Sequence, residues 1–405
     1  MNTSTQKTYT RWPYLVVGVL TMLFVGILYI WSIMKAPLAA EFGWTAAELT
    51  LNYTLSLCFF CTGAIVGGVL TNKIGHKITI TIAAILAGAG FVLVSQLSGE
   101  SVVMLYLING VMGGFGVGIS YNVVISTTNA WFPDKRGLCN GVLQVGIGIS
   151  GLVLGGVAEL LIGALGWRST FTIMGIVLGV ALIVAGFIMR APPSDASFLQ
   201  PKASSQESGS VKAEDYTAGQ MLRKTSFWST FIAVTFIAAA GNSVISFAKE
   251  FSMSVGATAA LSTILVGVLS ICNGLGRFLS GLLFDILGRR KTILLVNAAS
   301  ILAVVCLIVS VLSSTLFMCV AGMCFAGLSY GGCATANSAF IAAPFGSKYF
   351  SVNFGIASAT IMGAALMSSL SGTLITISGS YVESFILLLG LSFVAVILNL
   401  RIKRS

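Results

Sequence analysis

Twelve stretches of about twenty apolar residues follow one another along this chain of 405 residues, and nothing constrains its fold more. The hydrocarbon core of a bilayer is about 30 Å thick, and a helix rising 1.5 Å per residue needs about 20 apolar residues to cross it. The stretches lie near 14–36, 49–71, 78–97, 102–128, 137–163, 168–190, 226–248, 258–284, 292–312, 315–341, 351–376 and 381–400. They are too long for barrel strands and lack alternation, so each reads as a spanning helix. Composition agrees: 8% of residues are charged, against about 25% in a soluble domain. The first stretch has no short apolar region with a cleavage site, so it reads as a retained span rather than a signal peptide.

The net charge of +10 invites a nucleic-acid reading, but the distribution of the basic residues excludes it. When the loops are numbered from an inside N-terminus, eighteen of the 22 Lys and Arg residues fall on one side; the others are Lys35, Arg168, Lys249 and Arg277. This is the positive-inside bias. It predicts twelve spans with both termini cytoplasmic. The partners expected are a lipid bilayer and a small solute, not a nucleic acid.

A Pro- and Ser-rich stretch of mixed charge, PPSDASFLQPKASSQESGSVKAED, interrupts the apolar pattern and reads as a linker. The expected organisation is an N-terminal six-helix bundle (1–190), a cytoplasmic linker (191–224) and a C-terminal six-helix bundle (225–405). The two halves repeat. At an offset of 213 residues Asn72 falls on Asp285, Lys77 on Arg290, Lys135 on Lys348, Asn140 on Asn353, Gly114 on Gly327 and Gly118 on Gly331. The fold expected is an all-α membrane protein of two pseudo-symmetric six-helix bundles that rock about a central cavity. Cys58 and Cys61 form a CxxC within the second span, with no second pair or nearby His to make it a metal or redox centre, and the single histidine, His76, lies in a loop. No metal, cofactor or enzymatic activity is expected.

Two loops carry a family resemblance. GVLTNKIGHK (68–77) and GLLFDILGRRK (281–291) resemble the loop signature of the major facilitator superfamily, although the first copy has Asn72 where the signature has Asp. Within that superfamily, RWPYLVVGVL, GVGISYNVVISTTNAWFPDKRG, DYTAGQMLRKTSFW and NGLGRFLSGLLFDILGRRKT are similar to the oxalate/formate antiporter family and its relatives, the monocarboxylate transporters. The resemblance covers essentially the whole chain and implies a secondary carrier in a cell inner membrane, working as a monomer. The loop residues Asn72, Lys73, Lys77, Lys135, Arg136, Asp285, Arg289 and Arg290 are the candidates for a cytoplasmic gate. A carboxylate such as Asp285 at a helix end can pair with basic residues or accept from a helix N-terminus of the other half.

Arg277 is the anomaly that points to a solute. It stands eight residues before Asp285, roughly 12 Å from the cytoplasmic helix end and near mid-depth. A central arginine costs about 3 kcal/mol on insertion scales. No Asp or Glu is placed at a comparable depth: Glu159 is near the outer end of its helix, and Asp134, Glu250 and Glu383 are in loops or at helix ends. A buried cation without a buried anion suits a substrate that brings the anion, and a guanidinium orients a carboxylate with a fork of parallel hydrogen bonds. An arginine satisfied by backbone carbonyls or water is the alternative. Asn273, one turn away on the same face, can orient Arg277 or donate to the substrate.

The resemblance adds Tyr29, Tyr121 and Tyr330, which match tyrosines of the oxalate/formate antiporters, with Leu28 beside Tyr29 as a further lining residue. It also supplies a contrast. The oxalate carrier of the family has a lysine in its eleventh helix, and Ile361 takes that place here. One buried cation suits one carboxylate, because a second unpaired negative charge would be costly. A monocarboxylate of the lactate or pyruvate type is therefore expected, with oxalate/formate-type anion exchange as the alternative and a channel as the weakest reading. Arginine does not release its proton, and no other titratable group lies at mid-depth. In the proton-coupled transport that the relatives imply, the proton travels with the substrate carboxylate or its water shell.

Overall fold

The structure is a computed structural model and describes residues 10–99, 101–193, 215–346 and 348–401, all of whose regular elements are helical. Most of the expected linker, 194–214, lies outside the described residues, as do the side chains of Arg136 and Asp285. The helices are α1 (Trp12–Val25), continued by a 3-10 turn (Gly26–Ile30) into α2 (Trp31–Phe42), then α3 (Ala46–Ile74), α4 (His76–Val92), α5 (Val102–Leu105), a π-helical stretch (Tyr106–Gly113) and α6 (Gly114–Trp131). There follow α7 (Arg136–Ile188), α8 (Ala218–Leu222), α9 (Thr225–Ser254), α10 (Ala259–Ser313), α11 (Leu316–Phe345), α12 (Phe350–Ala357), α13 (Ala359–Ser378) and α14 (Val382–Arg401).

Eleven helical segments among the described residues are long and apolar enough to cross a membrane. One of them, Leu138–Ile188, has 51 residues, far more than the roughly 20 that a bilayer needs. It is two spans. Gly166 has φ 78°, a left-handed value that interrupts the helix, and glycine reaches it without a Cβ clash. The first limb runs alongside α1 and its continuation α2 in the same direction: Gly146 lies against Val19 and Leu23, Gly155 against Ile33. The second limb runs against α4: Gly175 meets Gly88 and Val92, while Gly186 meets Ile80. The chain thus reverses at Gly166, and the described residues hold twelve helical stretches long and apolar enough to cross.

Contacts repeat with the sequence. A Cβ on Gly118 would overlap the Phe60 carbonyl, and one on Gly331 would overlap that of Asn273. Gly63 approaches Phe115 as Gly276 approaches Leu328; Gly114 approaches Ser56 as Gly327 approaches Leu269. In each pair both partners shift by 213 positions. The α3–α6 contact of the first half is therefore the same backbone-on-backbone packing as the α10–α11 contact of the second, made possible by small residues. The loop signature obeys the same symmetry: Gly75 (φ 79°, ψ 162°) and Gly288 (φ 76°, ψ 172°) make the same left-handed turn.

On the side that carries the basic loops the halves meet closely. A Cβ at Gly68 would overlap the Ser351 carbonyl, and one at Gly355 would stand 2.7 Å from the Ile65 Cα. The Cys61 thiol donates to the Ser358 carbonyl at 3.2 Å. The loop between α6 and α7 is clasped to the chain's start: Arg11 forms a fork with Asp134 at 2.5 and 2.9 Å. This arginine holds the Asp134 carboxyl below its ordinary range. Tyr14 stacks on Trp131 beside this pair, with ring centres 4.0 Å apart.

Candidate functional site

A central cavity lies between the halves. Its first half supplies Val25, Leu28, Tyr29, Leu57, Phe60, Tyr121 and Ile147; the second supplies Val234, Ala238, Arg277, Tyr330, Cys333, Ala334, Asn337, Thr360 and Ile361. Most of these side chains are apolar. Arg277 is the one charged residue among them.

Local structure places each group. Gly26 lets the end of α1 press against α7, where the Ser150 hydroxyl donates to the Gly26 carbonyl at 3.0 Å. The coil tightens there into the 3-10 turn that presents Leu28 and Tyr29. Gly331 packs on the Asn273 carbonyl, so α10 and α11 lie close enough for Arg277 and Tyr330 to share one wall. Helix α13 begins just before Thr360 and Ile361, after a break at Ser358.

Arg277 is only 2% exposed. Its Nε donates to Asn273 Oδ1 at 3.1 Å and its Nη1 to Gln144 Oε1 at 2.8 Å. The Tyr29 ring centre lies 6.0 Å from the guanidinium carbon, within range of a cation–π contact. Nη2 is buried and meets no hydrogen-bond acceptor among the described residues. An arginine so placed is worse off by roughly 1–3 kcal/mol for the unmet donor. Both of these acceptors are neutral amides, so among the described residues nothing bonded to Arg277 compensates its charge.

The sequence candidates divide into two groups. Arg277, Tyr121, Tyr330, Tyr29 and Leu28 line the cavity, and Asn273 stands behind Arg277 as its hydrogen-bond partner. Tyr29 and Tyr330 approach hydroxyl to hydroxyl at 3.4 Å across the two halves. Ile361 lines the cavity as well. The gate candidates lie elsewhere. Asn72, Lys73, Lys77 and Lys135 are exposed. Lys77 sits over the Phe187 ring of its own half. Arg289 lies over the Phe340 ring and donates to Thr230 at 2.9 Å, and Arg290 donates to the Leu400 carbonyl at 3.3 Å, all within the second half. Hydrogen bonds from the neutral groups Asn122, Ser351 and Cys61 cross between the halves on this side among the described residues.

Gln144 escaped the sequence reading. It is fully buried in α7, and besides accepting from Arg277 it donates from Nε2 to the Tyr121 hydroxyl at 2.7 Å. A signal was available: Gln144 stands eight residues inside Arg136, as Arg277 stands eight residues before Asp285. Both therefore sit roughly 12 Å from a helix end.

Comparison with known proteins follows the same lines. The family model for the Major Facilitator Superfamily matches residues 14–254 and 231–404. The oxalate:formate antiporter of Oxalobacter formigenes is 29% identical over 283 residues, 70% of this chain and 65% of that protein. The MFS-type transporter YhjX of Escherichia coli (strain K12) is 26% identical over 350 residues, 86% of this chain and 84% of that protein. Human monocarboxylate transporter 1 is 29% identical over 168 residues, 41% of this chain and 33% of that protein. The chain thus matches just under two thirds of the antiporter's length and a third of the human transporter's. Among solved structures, the proton:xylose symporter XylE bound to 6-bromo-6-deoxy-D-glucose superposes with a TM-score of 0.75 at 15% identity, covering 96% of this chain and 94% of that one. FucP in the outward conformation gives 0.70 at 14% identity, covering 97% and 99%. At these identities the solved structures show the fold.

Proposed function

The chain belongs to the Major Facilitator Superfamily, and on that premise we propose that it is a secondary active transporter of small monocarboxylate anions of the lactate or pyruvate type. The observation that carries this reading is Arg277: a buried cation at an apolar cavity, held by two neutral amides, with Nη2 unpaired. A substrate carboxylate supplies the missing acceptor and the missing charge, and the apolar walls suit a short carbon chain. The relatives named for oxalate, formate and monocarboxylate transport support an organic anion as cargo. Ile361 at the cavity supports one negative charge rather than two.

Transport follows from alternating exposure of this cavity. Proton symport is the coupling we infer, with the proton carried on the substrate or its water shell. The side bearing the basic loops is read as cytoplasmic, which puts both termini there, and the membrane as a plasma (inner) membrane in which the protein works as a monomer. The oxalate/formate type of anion exchange is the second reading, favoured by the antiporter relative.

Proteoliposome uptake of lactate, pyruvate, formate, acetate, oxalate and a neutral sugar, with and without a pH gradient, tests this function. The monocarboxylates are expected to enter saturably and faster with the inside alkaline. Uptake of the sugar but of none of the acids would defeat the proposal. Arg277→Lys keeps the charge but loses the fork; it is expected to remain folded and to lose most uptake, and normal uptake by that variant removes Arg277 from the mechanism.

A further inference from the structure

We propose that Gln144 is a specificity-determining residue: a neutral amide that fixes Arg277 without cancelling its charge and makes the Tyr121 hydroxyl a donor toward the substrate. This rests on the carboxylate reading of the cavity and goes beyond it, since it assigns the selection for anions to a pair of groups from opposite halves.

The polarity of the chain of contacts is set by chemistry. A guanidinium only donates, so the amide oxygen of Gln144 must face Arg277, as it does at 2.8 Å. The amide nitrogen then faces Tyr121 and donates to its oxygen at 2.7 Å. A hydroxyl has one proton, and here its oxygen is already serving as the acceptor. The Tyr121 proton is therefore directed away from Gln144, and Tyr121 lines the cavity. Arg277 lines the same cavity, and its buried Nη2 is a second unused donor. One amide thus leaves two donors for one carboxylate.

Geometry makes this arrangement specific to the contact between α7 and α10. A Cβ on Gly148 would overlap the Gly274 Cα, and one on Gly141 would lie 3.1 Å from the Arg277 carbonyl oxygen. The two helix backbones touch on either side of Gln144, which brings a side chain of its length to the guanidinium. Gln144 is 0% exposed, so water does not compete for its amide.

A near-isosteric change inverts both effects. In Gln144→Glu the introduced carboxylate pairs with Arg277 and accepts from Tyr121, withdrawing the charge and the hydroxyl proton together. Anion binding then requires that carboxylate to take up a proton, because only the protonated acid again presents a carbonyl to Arg277 and a hydroxyl to Tyr121. A bound anion disfavours the ionised form of the introduced group, so binding takes up one proton between the pH at which that group ionises in the empty protein and the higher pH at which it ionises in the loaded one. Linkage gives a loss of affinity of about tenfold per pH unit across that window, beyond any slope of the parent.

The test is equilibrium binding of radiolabelled pyruvate to the full chain in detergent, from pH 5 to 7, for the parent, Gln144→Glu and Gln144→Met. Gln144→Glu is expected to bind at least tenfold more weakly at pH 7 and to show the added slope. Gln144→Met, which removes the amide without adding charge, is expected to bind several-fold more weakly with the parent's slope. Parent-like affinity and slope in Gln144→Glu overturn the inference while leaving the carboxylate reading intact. If Gln144→Glu does not fold, parent-like affinity in Gln144→Met overturns it. Absence of pyruvate binding by the parent, with no uptake of any acid, overturns the carboxylate reading and this inference together.

Discussion

Asn122 and Ser351 hold each other twice. The Asn122 amide donates to the Ser351 carbonyl at 2.9 Å, and the Ser351 hydroxyl donates back to Asn122 Oδ1 at 3.1 Å. The two residues belong to opposite halves, are buried, and stand where the absence of a Cβ on Gly68 admits α12. On the basic-loop side, a reciprocal neutral pair therefore closes the space between the halves.

Breaking that pair is expected to release this side. Asn122→Ala leaves the Ser351 carbonyl and hydroxyl without their partner; two net hydrogen bonds are worth about 2 kcal/mol. The balance between the closed and open forms of that side shifts by roughly thirtyfold. Accessibility of a cysteine placed at Val352, next to the pair, to a thiol reagent added from the basic-loop side would be compared with and without Asn122→Ala, in a background without native cysteines. Unchanged labelling would show that the pair does not hold the closure.

The contact of α7 with α10 offers a matched pair of glycine substitutions. Gly148→Ala pushes a methyl into the Gly274 backbone, whereas a Cβ on Gly156, two turns on, meets nothing within 4 Å. Overpacking costs about 1–3 kcal/mol where the backbone cannot yield. Gly148→Ala is expected to separate the helices, weaken the Gln144–Arg277 contact and reduce the maximal rate of monocarboxylate uptake at least fivefold. Gly156→Ala is expected to retain it. Equal uptake by the two variants would show that this approach has no part in transport.

A second cation in the cavity should change the cargo. Ile361 lines the same space as Arg277, and a lysine there requires a further negative charge to be stable in an apolar surrounding. Ile361→Lys is expected to raise the ratio of oxalate to pyruvate uptake by at least tenfold. A ratio equal to that of the parent would mean that the count of buried charges does not select between mono- and dianions.

Much of this protein was determined by sequence alone, because the deciding physics is local. Whether twenty consecutive residues prefer lipid is a sum over those residues, so the spans were legible, down to the pair that the structure joins across Gly166. The repeat was legible because matching residues recur at a constant offset, and the Gly118–Phe60 and Gly331–Asn273 contacts obey it. The anomaly of Arg277 was legible because a charge deep in an apolar helix costs energy wherever it points. What only the tertiary structure decided is which groups meet that charge. Gln144 reaches Arg277 from 133 residues away because glycines let two helix backbones touch at one depth and rotation, and Asn122 finds Ser351 across 229 residues for the same reason. A hydrogen bond is won or lost over a few tenths of an ångström and a rotation about a helix axis. Neither quantity is a property of either segment taken singly, so hydropathy and spacing are silent about them.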